Sequence, residues 1–221
     1  MEQVSTAVPL GRIALAADIA LPDRAEGLVL FAHGSGSSRF SPRNRHVAEV
    51  LNQGGVGTIL IDLLTEEEER IEVQTRALRF DIELLGERLV EITDWIGCQP
   101  EWKDMGLGYF GASTGAAAAL VAAAERPKAV RAVVSRGGRP DLAGKSLGRV
   151  YAPTLFIVGS QDRVVLDLNH SAMAQLPRHT VHKLEIIAGA THLFEEPGAL
   201  DRVAILARDW FRKHLSCKPG A

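Results

Sequence analysis

Cysteine is scarce in this chain, and no single sign of charge dominates. Its two cysteines, Cys98 and Cys217, stand far apart, and neither has a second Cys or a His at zinc spacing. Neither a disulfide framework nor a metal site is therefore expected, and two free thiols in a reducing cytoplasm are. Lys plus Arg number 25 against 27 Asp plus Glu, a formal charge of −2, which provides no long-range field to recruit nucleic acid or an anionic membrane. No apolar run approaches the roughly 18 residues needed to cross a bilayer. The first twenty or so residues are not expected to direct export, because Glu2 stands where a leader would be basic and Arg12 and Asp18 interrupt the apolar pattern. The remainder is ordinary: 221 residues, 46% hydrophobic and 24% charged, expected to close as one domain over residues 1–221 with a core large enough for a buried site.

Hydrophobic patterning supplies the fold class. Arg12 to Leu21 alternates, with Ile13, Leu15, Ala17, Ile19 and Leu21 on one side, as in a half-buried strand near a sheet edge. The runs LVLFA (28–32), GTILI (57–61), AVRAVV (129–134) and TLFIV (154–158) are short and nearly continuous, as expected of parallel strands covered on both faces; GLGYF (106–110) is a weaker fifth. Between them lie helical patterns. Leu78, Ile82, Leu85, Leu89, Ile92 and Ile96 mark a long amphipathic helix closed by Gly97; Ser41-Pro42 opens another, and Pro197 opens the last. Alternating strands and helices predict an α/β fold with a mainly parallel central sheet flanked by helices, its ligands bound beyond the carboxyl ends of the strands.

Two segments at such positions match G-x-S-x-G, and context separates them. Gly111-Ala112-Ser113-Thr114-Gly115 follows a strand and runs into the alanine-rich helix 116–125, whereas Gly144-Lys145-Ser146-Leu147-Gly148 has no strand before it and reads as loop. A sharp strand-to-helix turn strains the serine backbone and needs small neighbours, which the glycines and Ala112 supply, so Ser113 is the expected nucleophile. Phosphate-binding motifs fit poorly. GLGYFG (106–111) lies inside the strand and has no acidic residue about 20 positions on, and Gly138 to Gly144 encloses five residues where a phosphate-binding loop needs four.

A serine hydroxyl is a weak nucleophile without a histidine base and an orienting carboxylate. Asp162 follows the strand TLFIV in GSQDRVV, and His192 follows the apolar segment 181–187 in GATHLF; both stand at strand ends and in the order Ser, acid, His. Asp141, deeper in the loop after AVRAVV, is the substitute acid. The oxyanion that forms during acyl transfer needs fixed donors. The loop Phe31-Ala32-His33-Gly34-Ser35-Gly36 is placed to offer the Ser35 amide beside that of Thr114, with His33 tying the loop rather than acting as a second base.

The segments FAHGSGSS, GYFGASTGAAAAL, IVGSQDRVV and GATHLFEEPGAL together resemble the serine α/β-hydrolases. They are most similar to the small dienelactone-hydrolase-like group, which includes hydrolase modules fused to bacterial phosphoribosyltransferases. The resemblance runs from about Leu10 to Leu215. It implies the α/β-hydrolase fold with Ser113, Asp162 and His192 as triad, and a cytoplasmic hydrolase that needs no cofactor or metal. Dienelactone hydrolase proper uses a cysteine where this chain has Ser113, so that particular substrate is not implied.

The expected activity is cleavage of small carboxylic esters through an acyl-enzyme. The alternatives are acyl transfer by the same triad and a hydrolase fold retained as a binding module. Only Ser135 to Ala152 separates two strands where a cap is often inserted, so no separate cap domain is expected and the site should be open. Residues 63–76 follow a strand end and are placed to arch over it, although their acidic run reads equally as a solvated face. Arg39, Arg43 and Arg136 lie on the same side; Arg39 and Arg136 are the candidate substrate contacts, with pairing to Glu66 to Glu69 as their other role.

Overall fold

A computed structural model describes residues 2–216; Cys217 lies outside the described residues. Eight strands form one sheet: β1 (Glu2–Leu10), β2 (Ile13–Leu21), β3 (Gly27–Ala32), β4 (Gly57–Ile61), β5 (Gly106–Ala112), β6 (Val130–Arg136), β7 (Thr154–Gly159) and β8 (His182–Ile187). Their spatial order is β1-β2-β4-β3-β5-β6-β7-β8. β1 and β2 form an antiparallel hairpin, β2 pairs antiparallel with β4, and all other pairings are parallel. β3 to β7 are almost wholly buried, which is why they read as continuous apolar runs.

β1 is not among the strands expected above, although Val4, Thr6, Val8 and Leu10 alternate with Gln3, Ser5, Ala7 and Pro9. Only Val8 and Leu10 of that face are buried in the core; the exposed first six residues are held by the hairpin ladder with β2, which closes at Gly11 with φ 59. Pro9 is tolerated because the strand is the sheet edge.

Among the described residues, six helices flank the sheet: α1 (Pro42–Gln53), α2 (Glu66–Thr75), α3 (Ile82–Gly97), α4 (Thr114–Glu125), α5 (Arg163–Met173) and α6 (Ala199–Leu215). α1 and α6 pack Val47, Leu51, Val203 and Phe211 against one face, and α3 and α4 pack Leu85, Leu89, Ala117, Ala118, Ala119 and Leu120 against the other. The alanines of α4 let it approach closely: Ala116 to Ala119 are all fully buried, and a Cβ on Gly86 of α3 would stand 2.9 Å from Val121 Cγ1. α3 begins four residues later than its stripe suggests. Asp81 accepts the Leu84 amide at 3.0 Å as its cap, and Leu78–Phe80 forms a separate 3-10 turn. The β6–β7 connection carries no cap domain. Its 3-10 segment Pro140–Arg149, kinked at Gly144 with φ 51, packs against α4, so the second G-x-S-x-G match lies in helical turns rather than in open loop.

Candidate active site

Ser113 occupies the junction of β5 and α4 with φ 51 and ψ −120, a backbone conformation that costs a non-glycine residue about 1–3 kcal/mol and persists only where its surroundings hold it. They do so from three sides. The Ser113 amide donates to the Arg136 carbonyl at 3.2 Å, and its own carbonyl accepts the Ala116 and Arg139 amides at 3.1 and 3.0 Å. The flanking glycines are dictated by space. A Cβ on Gly111 would stand 2.4 Å from Ala116 Cα, and one on Gly115 would stand 2.2 Å from Ala32 O at the end of β3.

Asp162 and His192 meet. The Asp162 carboxylate accepts from His192 Nδ1 at 2.6 Å, with the His192 side chain 38% exposed and that of Asp162 15% exposed. Asp162 is the residue before α5, yet it makes no side-chain cap: its carboxylate is committed to the imidazole. The two loops are laced together. The Gln161 amide donates to Ala190 O at 3.0 Å, the Gly189 amide donates to Ser160 Oγ at 2.8 Å, and Gly159 has no space for a Cβ, which would lie 2.3 Å from Ala190 O. Asp141, the substitute acid, is held instead by a two-pronged ion pair with Arg139, at 2.8 and 2.7 Å.

The loop after β3 lies against the Ser113 turn. His33 is partly buried and bridges two loops: its Nδ1 faces Gly34 O at 3.1 Å, and its Nε2 accepts the Leu63 amide at 3.2 Å. Burial holds its pKa below the ordinary histidine value, against the Gly34 carbonyl and the nearby Asp62 and Glu69 carboxylates. Both ring nitrogens are thus engaged in joining the two loops. The Ser35 amide donates to Thr114 Oγ1 at 3.1 Å, and the two hydroxyls lie 3.0 Å apart. The Thr114 amide is the first of α4, where the helix offers it no acceptor.

The arginines divide. Arg39 pairs with Asp62, to which its amide also donates at 2.7 Å, and stacks over Phe40 with its guanidinium carbon 4.0 Å from the ring centre. Its partner is thus Asp62 and not the run Glu66 to Glu69. Arg43 meets Glu195 at 3.3 Å. Arg136 is buried at the end of β6 on the α1 side, with its Nη2 donating to Asn44 Oδ1 at 3.3 Å. A cleft of about 900 Å³ runs between α2 and the β1–β2 hairpin past Arg39, Asp62 and Glu69; neither Ser113 nor His192 lines it.

Two supports were not read from the sequence. Glu72 of α2 is buried and accepts the Leu78 and Arg79 amides at 2.7 and 3.0 Å as well as the Arg79 guanidinium, while Arg79 O accepts from Ser35 Oγ at 3.2 Å. Burial works to raise the Glu72 pKa, but these partners outweigh it and hold the carboxyl below its usual range. Within residues 63–76 the capped helix α2 is therefore fastened, through Arg79, to the loop that carries Ser35. Glu196 accepts the Thr191 hydroxyl at 2.6 Å and its amide at 3.0 Å, bracing the turn that carries His192. The spacing of Thr191 and Glu196 around His192 was the available signal.

The chain is similar to known proteins in sequence and in fold. The dienelactone hydrolase family profile matches residues 17–216. Dienelactone hydrolase from Anabaena variabilis superposes with a TM-score of 0.94 at 57% identity, covering 97% of this chain and 98% of that one. Est1E from Butyrivibrio proteoclasticus shares the fold at 16% identity, with a TM-score of 0.77 over 95% of this chain and 98% of its own. Two Mycobacterium tuberculosis sequences named as phosphoribosyl transferases are 58% identical over 213 residues, 96% of this chain but 46% of theirs; the chain spans about half the length of these relatives. With its mainly parallel α/β-hydrolase sheet and the strained Ser113 turn between β5 and α4, the chain belongs to the dienelactone hydrolase family.

Proposed function

We propose that this chain is a serine hydrolase that cleaves small carboxylic esters. The observation that carries the reading is the pairing of a strained nucleophile turn at Ser113 with the 2.6 Å bond between Asp162 and His192. Ser113 Oγ attacks the acyl carbon as its proton passes to His192 Nε2, and Asp162 stabilises the resulting imidazolium through Nδ1–H. The Thr114 amide receives the developing oxyanion, together with the Ser35 amide, which exchanges Thr114 Oγ1 for it. The tetrahedral adduct expels the alcohol, which takes the proton from Nε2. Water then attacks the acyl-enzyme with His192 as base, releasing the carboxylic acid and restoring the Ser113 hydroxyl. The transferase name of the mycobacterial relatives belongs to proteins about twice this length and is not carried over.

The test is turnover of short p-nitrophenyl esters by the wild type and by Ser113→Ala, combined with labelling by a fluorophosphonate probe. Loss of both turnover and label in the variant is expected. Undiminished hydrolysis by Ser113→Ala would overturn the assignment, and a folded wild type that takes no label favours a binding module.

A further inference from the structure

The ester chemistry above leaves one buried cation unused. Arg136 is 7% exposed, and beyond its contact with Asn44 its Nε and Nη1 are buried with no hydrogen-bond partner. No carboxylate pairs with it among the described residues; the charged neighbour acting on it is a second cation, Arg43, which together with burial pulls its pKa down to about 10. Arg43 carries a further buried, unpartnered Nε, and its bond to Glu195 involves a carboxylate that is 65% exposed. An exposed pair of that kind neutralises little.

A buried guanidinium without a counter-charge is costly, because its desolvation is uncompensated, and unsatisfied buried donors are rare enough to require an explanation. At neutral pH the group does not escape by losing its proton. Its position supplies the explanation. The Arg136 carbonyl accepts the Ser113 amide at 3.2 Å, and a Cβ on the following residue, Gly137, would stand 3.1 Å from His192 O. Arg43 and Asn44 lie in the first turn of α1, so the guanidinium sits against the amino end of a helix, where anions are favoured.

We propose that Arg136, Arg43 and the first turn of α1 form a phosphate-binding subsite, and that the ester cleaved at Ser113 carries a phosphate group. Two cations, three uncommitted N–H nitrogens and a helix amino end match the charge and the several non-bridging oxygens of a phosphate better than the two oxygens of a carboxylate. The anion enters from the side of Arg43 and Glu195, the more exposed end of the subsite. Only the second half of the proposal rests on the ester-hydrolase reading.

The first measurement is calorimetric binding of inorganic phosphate to the full chain at fixed ionic strength, with chloride as the balancing anion, for wild type, Arg136→Met and Arg43→Gln. Saturable binding by the wild type is expected, weakened about tenfold or more in each variant, the size of a lost charge-assisted hydrogen bond. Arg136→Met should melt no lower than the wild type, since it removes an unpaired buried charge. Should it fail to fold, Arg43→Gln, on a partly exposed side chain, carries the test. The second measurement is the ratio of kcat/KM for p-nitrophenyl 3-phosphonopropanoate to that for p-nitrophenyl acetate, which should fall about tenfold or more in both variants. Equal phosphate affinity in all three proteins means an adventitious ion only and overturns the proposal. A wild type that prefers p-nitrophenyl hemisuccinate to the phosphonate overturns it in favour of a carboxylate. Arginine-dependent phosphate binding without hydrolysis of any ester would keep the subsite and remove the ester reading.

Discussion

Gly34 presses on Ser113: a Cβ added to Gly34 would stand 3.1 Å from Ser113 Cβ and 3.1 Å from Ala112 O. The loop after β3 and the Ser113 turn thus meet so closely that a methyl group would force one of them to give by a few tenths of an ångström. Gly34→Ala should lower kcat on p-nitrophenyl acetate by about tenfold or more, because small displacements of reacting groups are costly. Its melting temperature should drop by an amount corresponding to about 1–3 kcal/mol, the usual cost of overpacking. Turnover equal to the wild type would mean that the loop does not serve the oxyanion.

The strain at Ser113 separates two variants that lack its hydroxyl. With φ 51 at this position, alanine keeps the penalty and glycine relieves it. Ser113→Gly should be more stable than Ser113→Ala by about 1 kcal/mol in denaturant unfolding, although glycine enlarges the unfolded ensemble. Equal stabilities would show that the turn is unstrained in solution.

Asp162 serves His192 and makes no helix cap. Asp162→Asn should therefore reduce kcat by about a hundredfold or more, since an amide can stabilise neither the working tautomer nor the imidazolium, while the melting temperature changes little. A large stability loss with only a modest kinetic effect would assign Asp162 a structural role.

His33 sets an acid limit. Its pKa in the fold lies below the ordinary value of 6.5, with burial as the main cause, so the unfolded chain binds its proton first. The stability this histidine contributes is fully present above about pH 6.5 and is lost as pH falls below that value toward the depressed pKa. A protonated His33 can no longer accept the Leu63 amide. Melting temperatures measured from pH 8 downward should fall more steeply below about pH 6.5 in the wild type than in His33→Gln; parallel curves would remove His33 from the account.

The fastening of α2 admits a different measurement. Glu72→Gln should loosen the link from α2 through Arg79 to Ser35 Oγ, speeding tryptic cleavage at Arg76, the left-handed residue closing α2, and lowering kcat more than it raises KM. Rescue by Glu72→Asp is not expected, because the shorter side chain cannot reach both amides and the guanidinium. Cleavage and kinetics unchanged from the wild type would mean that the segment does not support the loop.

The central strands and the meeting of Asp162 with His192 were legible because both are written in local patterns. β3 to β7 are covered on both faces and so are apolar throughout, and Ser113, Asp162 and His192 each stand at a strand end among small residues. What was missed depends on pairing across the chain. β1 alternates, but only Val8 and Leu10 of its apolar face are buried, and its exposed first six residues are held by backbone hydrogen bonds with β2. In the acidic run, Glu66, Glu67 and Glu69 are solvated as their composition suggests, whereas Glu72 in the same helix is buried by Arg79. Arg39 found Asp62, 23 residues away, and Arg43 found Glu195, 152 residues away; neither separation leaves a trace in local sequence.

The 3-10 segment Pro140–Arg149 folds back onto α4 instead of rising over the strand ends. Nothing in the β6–β7 connection has to swing aside for a molecule to reach or leave His192. An acyl group held on Ser113 would stand within reach of bulk water, and its lifetime would depend on the hydrolytic step rather than on a gate. Solvent viscosity should then leave turnover of slow substrates unaffected.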